Sequence, residues 1–272
     1  AHPDDESMAS GYLAHLHRLG AEILFVVATN GDKGTNDITI TSQQLRAMRA
    51  EEMRNAAAAL GGTALLLDYE DGELDISHSK EAGGLQGRDT RYELRLRLAA
   101  QIRMFEPDLL ITFNPVPNFG EYQRGTQHKD HQWIGGEALA CFYPIARDHL
   151  QFPELWASSH WPALRSNFSE MARWTDAQFS KLRMGWKIPE AFLFTWEQHS
   201  ASTPRYQTVE VPLTSEDIVT AAQSLSQHVS QVGGQNASAL LPSVRSKRAP
   251  LGAQSRPPTE YAEWYIRVVN ML

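Results

Sequence analysis

Cysteine is almost absent from this chain. The 272 residues hold one, Cys141, which excludes an intrachain disulfide framework and suits a reducing, cytoplasmic compartment. It sits in the apolar run Ala138-Leu139-Ala140-Cys141-Phe142 and is expected to pack there. Excess positive charge is missing too. Twenty-five Lys and Arg against 32 Asp and Glu leave a net charge of −7, which argues against general affinity for nucleic acid or anionic membrane. The local basic cluster Arg245-Ser246-Lys247-Arg248 reads as a solvated loop. No run is long and apolar enough to span a bilayer. No signal peptide is visible, although the chain opens inside a motif and an upstream targeting segment stays open. There is no internal repeat. The glycine-rich stretch Thr29-Asn30-Gly31-Asp32-Lys33-Gly34 lacks the phosphate-loop and dinucleotide patterns. Nothing in the sequence bears on oligomeric state.

What is present begins with 42% hydrophobic content, ample for a folded core. Met8, Tyr12, Leu13, Leu16 and Leu19 recur at helical spacing, and Gly20 ends that helix. A buried strand follows over 22–28. Ser42 to Leu60 is the clearest helix, stopped by Gly61-Gly62. Next come a strand over 64–67, a helix over 91–105 ended before Pro107, and a strand over 108–113. This alternation predicts an α/β fold, a mostly parallel sheet with helices on both faces. A site in such a fold belongs at the carboxyl end of a strand. Nothing precedes Ala1, so a first strand is expected to be missing upstream.

Further on, a helix is expected over 132–142, where Gly135-Gly136 would permit close packing. Residues 145–190 carry Trp156, Trp161, Trp174 and Trp186 with little periodicity. They read as a tryptophan-filled loop or insert region near the substrate side. Strands at 191–196 and 208–211 and a helix over 215–229 complete a single domain spanning 1–232. The Gly-, Ser- and Pro-rich stretch 233–258 is expected to be a loop, and 259–272 a short helix packing back on the domain. Asn236-Ala237-Ser238 is formally a glycosylation acceptor and is discounted in an intracellular chain.

Two segments carry chemistry: His2-Pro3-Asp4-Asp5-Glu6 and Gln127-His128-Lys129-Asp130-His131. Two imidazoles and one carboxylate make a metal site that leaves a position open for water. His2, Asp5 and His131 are therefore expected to hold one zinc ion, leaving Asp4, His128 and Asp130 for acid-base work. A plainer reading competes. Asp4, Asp5 and Glu6 at a helix start also suit the dipole there, and Arg49 with Glu52, three apart on one face, reads as a solvated ion pair.

Taken together the two segments resemble the LmbE-like (PIG-L) family of metal-dependent de-N-acetylases, whose second motif usually has proline where Lys129 stands. Arg49-x-x-Glu52-x-x-x-Ala56-x-x-x-Leu60-Gly61, Asp71-Gly72-Glu73-Leu74, Glu190 to Phe194, and His228-Val229-Ser230-Gln231 resemble later pieces of the family pattern, in order. The resemblance implies a Rossmann-like fold and zinc on His2, Asp5 and His131. It implies Asp4 as general base, a protonated His128 stabilising the oxyanion, Asp130 orienting His128, and Arg49 and Asp71 touching substrate. The implied reaction is removal of acetyl from an N-acetylglucosamine-type sugar or glycoconjugate by metal-activated water. The same ligand set would also serve a non-haem iron(II) oxygenase, and a catalytically silent sugar- or metal-binding module is a third reading.

Overall fold

The computed structural model describes residues 1–74, 90–115, 128–194, 208–248 and 261–269. In chain order a 3₁₀ turn, Asp5–Met8, leads into α1 (Ser10–Arg18), β1 (Leu24–Thr29), α2 (Ser42–Ala59) and β2 (Thr63–Tyr69). Then come α3 (Thr90–Phe105), β3 (Leu109–Phe113), α4 (Lys129–Ala140) and the short helices α5 (Pro153–Trp156), α6 (Trp161–Asn167) and α7 (Asp176–Lys181). The remainder is β4 (Glu190–Phe194), β5 (Thr208–Leu213), α8 (Ser215–Leu225), α9 (Val229–Val232), α10 (Ala237–Lys247) and β6 (Tyr261–Val269). Helix and strand alternate as expected, and the chain is a Rossmann-like α/β protein.

The chain divides into two compact units, Ala1–Gly72 with Phe194–Ile266, and Glu73–Leu193 with Arg267–Leu272. In the first, β1 and β2 pair in parallel from Leu24 opposite Thr63 to Thr29 opposite Tyr69. A parallel pair needs a crossover, and α2 supplies it. Thr41 caps α2 reciprocally with Gln44, and Gly61, at φ 72°, takes the left-handed conformation that ends it. Leu45, Met53, Ala56 and Leu60 of this segment are buried with Phe25 and Val27 of β1. Helix α8 packs against α1, α2 and α10, and its Ser224 Oγ donates to the Ala56 carbonyl at 3.2 Å.

Two late segments depart from expectation. The loop expected over 233–258 contains α10, opened by Asn236, whose side chain accepts from the Ala239 N–H. Leu240 and Val244 are its buried positions. One i, i+4 pair with Pro242 between them is too faint a period to recognise. Asn236 is thus a helix cap. The helix expected over 259–272 is β6, antiparallel to β5 from Tyr261 opposite Leu213 to Ile266 opposite Thr208. Tyr, Trp, Ile and Val dominate it, residues that pack well on a pleated surface. The buried Arg248 and Glu263 side chains pair at 2.5 Å, and the Glu263 carboxylate accepts the Gly11 and Tyr12 N–H groups.

In the second unit β3 and β4 are hydrogen-bonded neighbours, and α3 packs against α4 and α7. Arg103 is buried at 1% exposure and donates to the Ile145, Ala146 and Asp148 carbonyls, closing the chain that leaves α4. The stretch 145–190 is less loop-like than expected, because α5, α6 and α7 are each too short to show a period. Two of its tryptophans are tied into the unit by their indole nitrogens. Trp161 stacks on Phe179 at 5.3 Å and donates to the Leu155 carbonyl, while Trp186 donates to that of Pro107. Cys141 is wholly buried and its thiol is pushed up to about 12 by burial, an inert packing group.

Candidate active site

In the first unit the candidate residues stand at the end of β1. Both the N–H and the hydroxyl of Thr29 donate to the Ala1 carbonyl, at 2.8 and 3.2 Å. The chain then turns sharply through Pro3 and Asp4, with Asp4 at φ 122°. That turn brings Asp5 back onto His2. The His2 N–H donates to Asp5 Oδ2 at 2.6 Å, and the same oxygen lies 3.4 Å from His2 Nδ1. Two ligand atoms on a tetrahedral zinc ion stand about 3.3 Å apart, given bonds of about 2.0–2.1 Å. The donor types and their spacing therefore fit a divalent metal. The other ring nitrogen, Nε2, is 3.1 Å from Asp71 Oδ1, the carboxylate partner that metal-bound histidines commonly have. Asp71 is buried and its own N–H donates to Asp32 Oδ1.

Asp4 makes no side-chain cap on the turn that follows it. Its Oδ1 lies instead 3.1 Å from Arg49 Nη2. The reading of the acids as capping residues does not describe it. Burial pushes the Asp4 carboxyl up to about 6, with Arg49 and His228 pulling it back and Asp5 and Glu6 adding to the rise.

Arg49 and Glu52 are not a solvated pair: both are buried and neither bonds the other. The Arg49 guanidinium donates to the carbonyls of Pro3 and Gly31. A Cβ on Gly31 would stand 2.6 Å from Arg49 Nη1, and one on Gly34 would also strike that atom. The two glycines of the loop after β1 make room for this arginine. Glu52 turns to the far end of the chain, accepting the Ser230 N–H and hydroxyl, both at 2.7 Å. His228 Nε2 is 2.6 Å from Glu6 Oε1. Burial opposes a charge on His228, but Glu6 outweighs it and raises the imidazole above its usual range. Glu6, Glu52, His228 and Ser230 were not among the candidate site residues. The signal available was the family-like segment His228 to Gln231.

The second unit carries the other cluster at the start of α4. His128 is the residue before the helix, and its Nδ1 accepts the Asp130 N–H at 3.3 Å. The Asp130 carboxylate is wholly buried, with Oδ2 3.9 Å from that nitrogen. Within the described contacts, Asp130 thus holds His128 through its backbone. With Nδ1 accepting, the ring proton belongs on Nε2. His131 lies one turn on, its ring stacked on Phe113 at the end of β3, 4.0 Å away and 8° from parallel. The rings of His128 and His131 are 5.6 Å apart. Gly135 permits this seat, since a Cβ there would strike the Phe113 carbonyl. Gln127, expected beside His128, lies outside the described residues.

Residues 1–142 match the family of GlcNAc-PI de-N-acetylases, PIG-L. The chain belongs to that family. Among curated relatives, the 1D-myo-inositol 2-acetamido-2-deoxy-alpha-D-glucopyranoside deacetylase of Mycobacterium leprae is 30% identical over 145 residues, 48% of this chain and 44% of its own. The chain spans just under half the length of the curated relatives it matches. The structure of N,N'-diacetylchitobiose deacetylase from Pyrococcus horikoshii superposes with a TM-score of 0.64 at 19% identity, covering 98% of this chain and 81% of that one. GalB, the 4-carboxy-2-hydroxymuconate hydratase of Pseudomonas putida, superposes at 0.57 and 18% identity over 100% and 95%. The last two similarities concern the fold, which hosts more than one chemistry. Among the described residues no helix is long and apolar enough to cross a membrane.

Proposed function

We propose that the protein is a metal-dependent hydrolase that removes the acetyl group from an N-acetylglucosamine-type sugar or glycoconjugate. His2 and Asp5 of the first unit and His131 of the second would hold one zinc ion. The observation that carries this is the turn at Asp4: it sets a nitrogen of His2 and an oxygen of Asp5 at ligand spacing, 3.4 Å, and leaves the adjacent carboxylate of Asp4 for other work. Family membership and the deacetylase relatives supply the reaction class.

A metal held by these residues would supply an acidified water and a Lewis acid for the acetyl carbonyl. Asp4 takes the water proton as general base and is kept in place by Arg49. His128 donates from Nε2 to the carbonyl oxygen as it gains charge. A neutral ring suffices for that, because the Asp130 N–H occupies Nδ1. Asp71, whose Oδ1 lies 3.1 Å from His2 Nε2, would fix that ring and leave Nδ1 for the metal, beside the substrate contact expected of it. The sugar amine leaves with a proton from Asp4 or His128, giving acetate and free amine.

The test is amine release from a panel comprising N-acetylglucosamine, diacetylchitobiose and a 2-acetamido-glucosyl inositol, with oxygen uptake followed alongside. Asp4→Ala should retain metal and lose about 10²–10⁴ in rate, while His131→Ala should lose the metal. Full turnover by Asp4→Ala, or oxygen uptake without amine, would overturn the reading.

A further inference from the structure

The segment after α8 has no part in the chemistry above, yet it makes an unusual set of bonds. His228, wholly buried, reaches Glu6, one residue beyond the Asp4-Asp5 pair. Ser230 engages the Glu52 carboxylate twice. Gln231 donates to the Gly34 carbonyl at 3.1 Å, on the loop that encloses Arg49. Glu52 lies one turn from Arg49 on α2, and Arg49 in turn holds Pro3 and Asp4. These long-range contacts therefore each end on a piece of chain next to the His2–Asp5 turn or to the arginine that holds it.

We infer that His228 and Ser230 are positioning residues that fix the metal-binding turn from the opposite end of the sequence, His228 through Glu6 and Ser230 through Glu52. This rests on the reading of His2 and Asp5 as ligands, but on no particular substrate. Neither residue touches the reacting atoms. A buried carboxylate with two short bonds in fixed geometry holds its helix in one place, and a buried Glu–His contact does the same for the 3₁₀ turn. Such outer contacts tune a metal site because ligands a few tenths of an ångström astray bind less well.

The experiment uses the whole chain and zinc or cobalt(II) alone as the probe. Metal affinity is measured by chelator competition, and the cobalt absorption bands report ligand geometry. His228→Gln and Glu6→Gln should each weaken binding by about 10–100-fold and shift the bands. The double variant should be no weaker than the worse single one, because the pair acts as a unit. Ser230→Ala keeps its backbone bond to Glu52 and should weaken binding less, about threefold to tenfold. It decides the matter if the His228 variant fails to fold. Wild-type affinity and spectrum in the folded His228 variant, or independent multiplicative losses in the double variant, would overturn the inference. So would an unaltered Ser230→Ala where His228→Gln cannot be folded. A wild-type chain that binds metal but releases no amine sinks the proposed reaction and leaves this inference standing.

Discussion

Asp4 holds a backbone conformation, φ 122° and ψ −15°, that costs an ordinary residue about 1–3 kcal/mol. The strain persists because its neighbours over-determine it: Arg49 grips both the Pro3 carbonyl and the Asp4 carboxylate. The guanidinium fork reaches Pro3, Asp4 and Gly31 at once, a geometry that an ammonium on a flexible stem cannot reproduce. Arg49→Lys should therefore fail nearly as badly as Arg49→Ala, losing on the order of 10²-fold in kcat, as misplacement of a catalytic group by about 1 Å does. KM should change little if Arg49 acts on Asp4, and should rise if Arg49 holds substrate as the family resemblance implied. Steady-state kinetics on both variants separates the two. The sequence could not tell these roles apart. Spacing places Arg49 and Glu52 on one helical face, but whether that face is solvated depends on Pro3, Gly31 and Ser230, none of them close by in the chain.

At the scale of elements, α4 on β3 decides where His131 stands. Gly135 and Gly136 look alike in sequence and are not alike in the structure. A Cβ at Gly135 meets the Phe113 backbone, whereas one at Gly136 finds only Pro115 Cβ at 3.8 Å. Gly135→Ala should cost about 1–3 kcal/mol through overpacking and weaken metal binding by moving His131. Gly136→Ala should gain up to about 1 kcal/mol from helix propensity. Urea denaturation of both checks the contrast. The α1–α8 contact gives a pH-dependent case. Burial works against a charge on Asp217, but bonds from Arg18, Thr214 and His15 outweigh it and hold its carboxyl below the usual range. A depressed carboxyl contributes stability above its unfolded pKa, about 3.9, and loses it as pH falls through the lower folded value. Asp217→Asn should be less stable than wild type at neutral pH, with the gap closing below about pH 4. A gap that is constant down to pH 2 would count against the charge as its source. Strongly periodic elements such as α2 were legible to within a residue or two. α10 and β6 were not, because the first shows one faint apolar pair and the second takes its identity from pairing with β5, fifty residues earlier.

For the whole molecule, the proposed ligand set is divided: His2 and Asp5 belong to the first unit and His131 to the second. Both motifs could be read from the sequence because their residue types are rare in such density. That they serve one ion is a long-range claim, which no local pattern carries. Thermodynamic linkage offers a direct test. An ion that binds only the folded chain stabilises it by about 2.7 kcal/mol at a hundred times its dissociation constant. For a chain of this size that corresponds to a rise of roughly 5–10 °C in Tm. If one ion needs ligands from both units, Asp5→Ala and His131→Ala should each abolish nearly the whole rise, and the double variant should add nothing. If each unit held an ion of its own, either single variant would keep part of the rise and only the double would lose it all. Thermal scans of the four proteins with and without zinc decide between a shared centre and two separate ones.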